Sequence, residues 1–343
     1  MKRAALVFIC LAATILFLLA ACGGSSAPKA TTVRVGYFPN LTHAQALVGL
    51  ADGSFQKALG DGVKIDPVQF NAGPSAMEAL LAGAIDMSYI GPNPAINGYL
   101  QSTGAAVRII AGATSAGAVF VVRPQSNIKT AKDLAGKKIA SPQLGNTQDV
   151  SLRRYIKQAG LDTKENGGTV EVVPMANADA LTAFQKGDID GAWVPEPWGA
   201  RLVREAGGVI LVDERDLWPG GEFVTAHLVI STKFLKEQPD LVKKWLEAHV
   251  DVTQWINAHP TEAKALVNSE IARLTGKALA TGVLDDAFAR MKVTYHPIKS
   301  SLNTSAEWAF EAGFLDSKPD LKDIYDLKLL NQVLSKKGLA TIK

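Results

Sequence analysis

Five predicted turns combine small and hydroxyl side chains and contain no lysine or arginine, and several stand directly before a predicted helix. They are Asn40-Leu41-Thr42, Ala72-Gly73-Pro74-Ser75, Gly91-Pro92-Asn93, Thr114-Ser115-Ala116-Gly117 and Gly145-Asn146-Thr147-Gln148. A helix N-terminus presents unpaired backbone N–H groups and a partial positive charge, so it can hold an anion without a fixed cation. Converging on one cleft, these turns would form an anion-binding site. The alternative is that their Ser, Thr and Asn are ordinary helix caps.

One further turn supplies aromatic and acidic candidates, because Trp193 and Trp198 flank Glu196. An aromatic wall suits an alkyl or aryl group, and the acid could meet an amine or a hydroxyl on it. The alternatives are that Trp193 packs within a strand and that Glu196 pairs with a lysine or binds facing helix N-termini. Glu222 is a weaker candidate, and for His43 a capping or packing role is favoured over ligand contact.

Common motifs of catalytic and metal sites are missing from the sequence. The histidines, at positions 43, 227, 249, 259 and 296, include no pair with the spacing of a zinc site. The sequence also lacks a Gly-x-Ser-x-Gly elbow, a phosphate loop and a dinucleotide fingerprint. We therefore predict no enzyme activity, no metal and no cofactor. A lyase-like activity resting on Glu196 and His43 is kept as a remote alternative.

The N-terminus has the pattern of a targeting segment. Lys2 and Arg3 precede an apolar stretch over residues 4–18, and Leu19-Ala20-Ala21-Cys22 follows. Small residues before a cysteine resemble a bacterial lipoprotein cleavage site. We therefore expect a signal peptide over residues 1–21, lipidation of Cys22 and a flexible tether over residues 22–31. The alternatives are an uncleaved N-terminal anchor and a plain secretory signal.

Cleavage there would leave 322 residues, enough for two domains, and loss of Lys2 and Arg3 would lower the formal net charge from +3 to +1. A nearly neutral chain without a cluster of basic residues is not expected to bind nucleic acid. Cys10 would leave with the signal peptide, so the body of the protein is predicted to contain no disulfide.

Two similar segments organise the rest of the chain. Residues 80–94 and 183–198 each contain a helix end at a glycine, a short buried strand and a proline-rich turn that opens a helix. Strand and helix patterns also alternate elsewhere, and Pro74 stands in the favoured first turn of one helix. This alternation predicts an α/β fold with mixed, mostly parallel sheets.

Two apolar strands, at residues 118–123 and 226–231, bracket a self-contained α/β segment. We predict that residues 32–117 and 228–343 form lobe 1 and that residues 118–227 form lobe 2, inserted into lobe 1. The two strands would then be crossovers that can hinge. Open parallel sheets bind small ligands at their strand ends, which places the predicted site between the lobes.

Several segments resemble the solute-binding lipoproteins of ABC importers for nitrate, sulfonates and taurine. They are residues 33–40, 70–74, 90–95, 133–140, 145–147 and 194–198. The resemblance implies a two-lobed periplasmic-binding-protein-like fold of type II with two crossover hinge strands. It also implies a monomeric, extracytoplasmic and lipid-anchored receptor that hands its ligand to a membrane permease and its ATPase. The Gly-Pro-Asn-Pro turn at residues 91–94 is most similar to the aliphatic sulfonate binders of this family.

A sulfonate suits the predicted turns because it is a permanent monoanion with three acceptor oxygens, which N–H and hydroxyl donors can satisfy. Its desolvation also costs less than that of a doubly charged phosphate. Three other ligands stay open: taurine with its amine on Glu196, nitrate, and a heteroaromatic such as a pyrimidine or flavin stacked on the tryptophans. Nitrate is expected to bind poorly, since the pocket is predicted to accommodate a tail.

Overall fold

The computed structural model describes residues 31–343, whose strands fall into two sheets. In chain order the strands are β1 (Thr31–Tyr37), β2 (Val63–Gln69), β3 (Met87–Ile90), β4 (Val107–Ala116), β5 (Ala118–Val122), β6 (Lys138–Ser141), β7 (Glu171–Pro174), β8 (Gly191–Pro195), β9 (Val209–Asp213), β10 (Val224–Ser231) and β11 (Met291–Val293). The predicted signal peptide, Cys22 and the tether up to residue 30 lie outside the described residues.

Helices pack on these sheets and make up most of the chain after β10. They are α1 (Ala44–Ala51), α2 (Ser54–Leu59), α3 (Gly73–Leu81), α4 (Pro92–Gln101), α5 (Thr147–Gln158), α6 (Asn177–Lys186), α7 (Trp198–Ala206), α8 (Thr232–Glu237), α9 (Pro239–Ala258), α10 (Pro260–Thr275), α11 (Thr281–Ala289), α12 (Lys299–Glu311) and α13 (Lys328–Lys336). Within residues 31–343 no helix has both the length and the apolar character that crossing a membrane requires.

Both sheets mix parallel and antiparallel pairs. Sheet 1 has the strand order β11-β4-β10-β3-β1-β2, in which β1 is parallel to β3 and β10 is antiparallel to β3 and β4. Sheet 2 has the order β7-β6-β8-β5-β9, in which β6 is parallel to both neighbours and β5 is antiparallel to both. The predicted α/β class with mixed sheets is confirmed. The expectation that the sheets are mostly parallel is wrong, because antiparallel pairs outnumber parallel ones: β4 pairs antiparallel with β10 and β11, β10 with β3, and β5 with β8 and β9.

Each predicted crossover strand lies in the interior of a sheet, β5 in sheet 2 and β10 in sheet 1. The chain passes from sheet 1 to sheet 2 at Gly117, whose φ of 82° is a left-handed conformation that glycine adopts readily. It returns through residues 214–223. The division into lobes 32–117 with 228–343 and 118–227 stays a prediction, and β10 places residues 224–227 in sheet 1.

The two similar segments have the predicted local structure. Gly83 follows α3 and Gly187 follows α6, with φ of 70° and 84°, and such left-handed glycines are typical of helix ends. The next strands, β3 and β8, are buried along their whole length. Pro92 then begins α4 and Trp198 begins α7. Each sheet therefore has a strand end that leads directly into a helix N-terminus.

Sheet 2 is covered on both faces, which explains the apolar sequence of β5. Val119 and Val121 face one core, with Phe184 of α6. Phe120 faces the other, where Leu152 of α5 packs. Because successive side chains of a strand point to opposite faces, a strand between two helical layers must be apolar at every position.

Candidate ligand-binding site

A cavity of about 30 Å³ lies between the strand ends of the two sheets. Gly73 at the start of α3 and Gly91 before α4 line its sheet 1 side. Thr147 at the start of α5 and Asn177 at the start of α6 line its sheet 2 side. Four helix N-termini therefore meet at a space that holds about two water-sized groups. Their backbone N–H groups and dipoles make this space favourable for an anion.

Part of the predicted site converges on this cavity. Its wall includes Asn40, Gly73, Gly91, Asn146, Thr147 and Gln148. Within residues 31–343 the wall contains no lysine or arginine. The geometry required for holding an anion with uncharged groups is therefore present, and ligand contact by each of these residues stays a prediction.

The remaining predicted residues do not line this cavity. They are Leu41, Pro74, Ser75, Pro92, Asn93, Thr114, Ser115, Trp193, Glu196 and Trp198. Some of their polar atoms already have structural partners. The Asn93 side-chain N–H donates to the Ser305 carbonyl (3.1 Å), and the Thr114 hydroxyl donates to the Thr42 carbonyl (2.7 Å). The Thr114 bond fixes the backbone of Thr42, which lines the cavity, whereas the Asn93 bond holds α4 against α12.

Asn146 and Thr147 show that the capping interpretation holds for one residue and fails for its neighbour. Asn146 is the N-cap of α5, because its Oδ1 accepts a hydrogen bond from the Asp149 N–H (2.9 Å). Thr147 Oγ1 is buried and has no hydrogen-bond partner within residues 31–343. A buried hydroxyl without a partner is costly, so Thr147 is suited to donate to a ligand oxygen.

Gly91 and Thr147 bring the two walls of the cavity into contact. A Cβ atom placed on Gly91 would overlap Thr147 Oγ1. Gly91 follows β3 of sheet 1, whereas Thr147 follows β6 of sheet 2. The missing side chain at position 91 therefore permits the close approach of the two sheets at this point.

His43 lines the cavity as a neutral side chain. Its Nδ1 accepts a hydrogen bond from the Phe38 N–H (3.3 Å), which leaves the ring proton on Nε2. Burial lowers the pKa of His43 to about 3, so the imidazole is uncharged at neutral pH. His43 also packs on the Phe38 ring, with ring centroids 4.3 Å apart. It therefore combines the favoured packing role with a position at the cavity.

Trp193 lies in the core of sheet 2, which corrects the predicted aromatic wall. Its Nε1–H donates to Glu214 Oε2 (2.7 Å), and its ring stacks on Phe120 with centroids 5.3 Å apart. Burial raises the pKa of Glu214 to about 7, and hydrogen bonds from Trp193 and Ser151 oppose that rise. The alternation of β8 directs Trp193 into this core, so it packs as a strand residue.

Glu196 has protein partners on both carboxylate oxygens. Oε1 accepts from Arg290 Nη1 (2.9 Å), and Oε2 accepts from the Ala200 N–H (2.9 Å). Desolvation raises the pKa of Glu196, and the Ala200 and Arg290 hydrogen bonds oppose this rise. Its carbonyl also accepts from the Leu41 N–H (3.1 Å). The pairing alternative describes Glu196 better than contact with a ligand amine, although the partner is an arginine. The helix N–H that Glu196 contacts is that of its own following helix, α7, and not that of a facing helix.

Trp198 lines a larger space that shares wall residues with the cavity and that we call the outer chamber. The Trp198 Nε1–H donates to Asn40 Oδ1 (2.9 Å). The outer chamber has a volume of about 550 Å³, is lined by Trp198, and shares Asn40, Asn71 and Asn177 with the small cavity. Arg201 lies 4.7 Å from the centre of the Trp198 ring. Trp198 is therefore placed for contact with a ligand tail outside the small cavity.

Sequence reasoning missed three polar residues of the cavity wall: Asn71, Asn177 and Thr225. Asn177 begins α6 shortly after β7, so the rule that selected the five turns could have found it. Thr225 lies inside β10, and no local signal marks a strand residue that reaches a cavity only through the arrangement of its sheet.

Two sheets with a polar cavity between their strand ends are the arrangement predicted for a two-lobed solute-binding protein. The sequence matches the NMT1-like family over residues 26–272, and the chain belongs to this family.

Several proteins similar to this chain are named as binding proteins. The "Putative aliphatic sulfonates-binding protein" of Bacillus subtilis (strain 168) is 28% identical over 345 residues, with 97% of each chain covered. The taurine-binding periplasmic protein of Escherichia coli (strain K12) is 30% identical over 250 residues, which cover 72% of this chain and 74% of the relative. The alkanesulfonate-binding protein SsuA of Xanthomonas axonopodis pv. citri, bound to MOPS, has a TM-score of 0.70 and 20% identity, with 85% of this chain and 97% of that chain covered. This likeness confirms the predicted periplasmic-binding-protein-like fold.

Proposed function

We propose that this protein is the extracytoplasmic solute-binding component of an ABC importer and that its ligand is an aliphatic sulfonate. The observation that carries the proposal is the cavity wall, which combines helix N-termini and the unpartnered Thr147 hydroxyl with no basic side chain. A sulfonate needs several hydrogen-bond donors and only a modest compensating charge, which such a wall supplies. The sulfonate and taurine binders among its relatives support the same ligand class.

The proposed mechanism is capture by closure. A ligand held between Gly91 and Thr147 would contact both lobes only when they are closed, so binding would shift the population towards the closed form. The proposed lobes are those predicted from the sequence, except that lobe 1 resumes at residue 224 and not at 228, because β10 belongs to sheet 1. Gly117 and residues 214–223 would be the segments that bend. The protein would release its ligand unchanged to a permease and would act as a monomer without catalysis.

Membrane attachment completes the proposal. The sequence Leu19-Ala20-Ala21-Cys22 would be cleaved before Cys22, and the lipid on Cys22 would keep the receptor at the membrane surface. One acyl chain binds a bilayer only weakly, so stable anchoring requires the several chains of a bacterial lipoprotein.

A calorimetric and thermal-shift comparison of ethanesulfonate, butanesulfonate, nitrate, phosphate and uracil tests the ligand class. We expect the sulfonates to bind and to stabilise the fold by about 1.4 kcal/mol at ten times their Kd. Nitrate is expected to bind more weakly, because it has no tail to contact the outer chamber. Tighter binding of nitrate than of both sulfonates would reverse the assignment. Conversion of a bound sulfonate to a product, followed by NMR, would contradict the absence of catalysis.

A further inference from the structure

Asn177 has an unsatisfied hydrogen-bond acceptor in the cavity wall. Its side chain is 6% exposed, and its Oδ1 has no hydrogen-bond partner within residues 31–343. Asn177 is the first residue of α6 and not its N-cap, which is Ala176. The side chain therefore does not have the capping role that usually explains an asparagine at a helix start.

The position of Asn177 separates two spaces of different size. The small cavity of about 30 Å³ holds only a compact group such as an anionic head, whereas the outer chamber measures about 550 Å³. Asn40, Asn71 and Asn177 belong to the walls of both. Asn40 Oδ1 already accepts from Trp198, and Asn71 is exposed to solvent. Asn177 is therefore the buried asparagine of this shared wall whose Oδ1 has no partner within residues 31–343. A ligand with its head in the cavity would pass its tail beside Asn177.

Two buried atoms of the wall, Thr147 Oγ1 and Asn177 Oδ1, have no hydrogen-bond partner within residues 31–343, but they differ in the hydrogen bonds that they can form. Thr147 Oγ1 can donate to a sulfonate oxygen, but Asn177 Oδ1 can only accept. A sulfonate head and an alkyl chain contain no donor, so neither can satisfy Asn177 Oδ1. A buried carbonyl oxygen left unpaired weakens binding, whereas a donor on the tail would remove that cost.

We propose that Asn177 is a specificity-determining residue that accepts a hydrogen bond from an N–H or O–H group on the ligand tail. The ligand class is then an amino- or hydroxyalkanesulfonate. This inference rests on the proposed function, because it assumes that a sulfonate head occupies the small cavity. It differs from the sequence-based prediction, in which Glu196 would receive such a group; Glu196 is occupied by Arg290 and Ala200.

The test compares three ligands that share a head and a two-carbon chain: ethanesulfonate, taurine and 2-hydroxyethanesulfonate. Wild-type protein is expected to bind at least one donor-bearing ligand about tenfold more tightly than ethanesulfonate, the gain typical of one well-placed hydrogen bond. Taurine and 2-hydroxyethanesulfonate distinguish an ammonium from a hydroxyl donor. Binding is measured by calorimetry on the mature chain.

The Asn177→Leu variant should abolish the preference for donor-bearing ligands over ethanesulfonate, because the acceptor for the tail donor is lost. Asn177→Ala provides a second variant without added bulk, and Asn303→Leu, at an exposed asparagine of α12, is the matched control. Without ligand, Asn177→Leu should melt at the same or a higher temperature, since no protein hydrogen bond is removed.

Equal wild-type affinities for the three ligands, or an equal loss for all three in Asn177→Leu, would overturn the role of Asn177 and leave the proposed function standing. A lower melting temperature of unliganded Asn177→Leu with an unchanged ligand preference would assign Asn177 a structural role. Failure of wild-type protein to bind any of the three ligands would instead refute the proposed function itself.

Discussion

Gly91 matters because it has no side chain, which leaves room for the Thr147 hydroxyl. Its φ of −69° is available to any amino acid, so backbone strain does not require glycine there. The requirement comes from Thr147, whose Oγ1 occupies the volume that a Cβ at position 91 would take. Thr147 is β-branched and has few rotamers, so it cannot easily turn aside.

Gly91→Ala should therefore weaken sulfonate binding by roughly tenfold, the effect of losing one hydrogen bond or part of the closure. Either Thr147 rotates and loses its position as a donor, or the two walls remain further apart. Calorimetry with ethanesulfonate measures the change. Gly62→Ala is the control, because a Cβ at Gly62 meets no atom within 4 Å. An unchanged affinity in Gly91→Ala would remove this contact from the binding mechanism.

At the scale of elements, α7 and α11 are joined by two ion pairs that differ in burial. Arg290, directly after α11, pairs with Glu196, which is 0% exposed. Arg204 of α7 pairs with Asp286 of α11 through two hydrogen bonds (2.6 and 3.0 Å), but the Arg204 side chain is 54% exposed. We expect the buried pair to contribute more to the free energy of unfolding than the exposed pair, although the exposed pair has the better hydrogen-bond geometry.

Arg290→Ala should lower the free energy of unfolding by about 3 kcal/mol at pH 8, since it leaves Glu196 buried and without its cation. Arg204→Ala, the matched control, should cost about 1 kcal/mol or less because its pair is solvated. Urea denaturation measures both. Equal losses in the two variants would contradict the argument from burial.

The Arg290→Ala loss should shrink at pH 5. Without Arg290 the already raised pKa of Glu196 rises further above its unfolded value. Between the pKa of Glu196 in the unfolded chain and its higher pKa in the folded variant, the folded variant binds more protons than the unfolded chain. The stability of the variant therefore falls as the pH increases through this interval.

At the scale of the whole molecule, the chain is organised as two sheets that each have apolar cores. A further apolar cluster joins them, with Val150 of α5 and Trp308 of α12 among its members. No cysteine occurs after Cys22, so these cores and the polar contacts between the sheets stabilise residues 31–343 without a disulfide. The lipid that we propose on Cys22 would hold the whole receptor at the membrane, near its permease.

Cys22→Ser should abolish palmitate labelling and release the protein from the membrane fraction of a bacterium that processes lipoproteins. Ethanesulfonate binding by the purified variant should not change, since Cys22 precedes the family match at residues 26–272. Cys10→Ser is the control, because Cys10 lies in the predicted signal peptide and should not affect labelling. Labelling that persists in Cys22→Ser would refute the anchor.

The sequence alone determined the α/β class, the strand-to-helix turns at Gly91 and Thr147, and the family resemblance. These features depend on local periodicity, on proline and glycine, and on contiguous motifs, all of which are visible without coordinates. The left-handed glycines at positions 83 and 187 are examples, because a helix end requires them wherever the helix lies.

Only the tertiary structure decided which polar groups meet and which are already satisfied. Trp193 and Glu196 looked suitable for a ligand, but Glu214 and Arg290, distant in sequence, occupy their polar atoms. The position of Asn177 at a helix start was visible in the sequence, but its availability depends on the absence of a partner within residues 31–343. Partners between elements are set by how two sheets pack, and no pattern within one element contains that information.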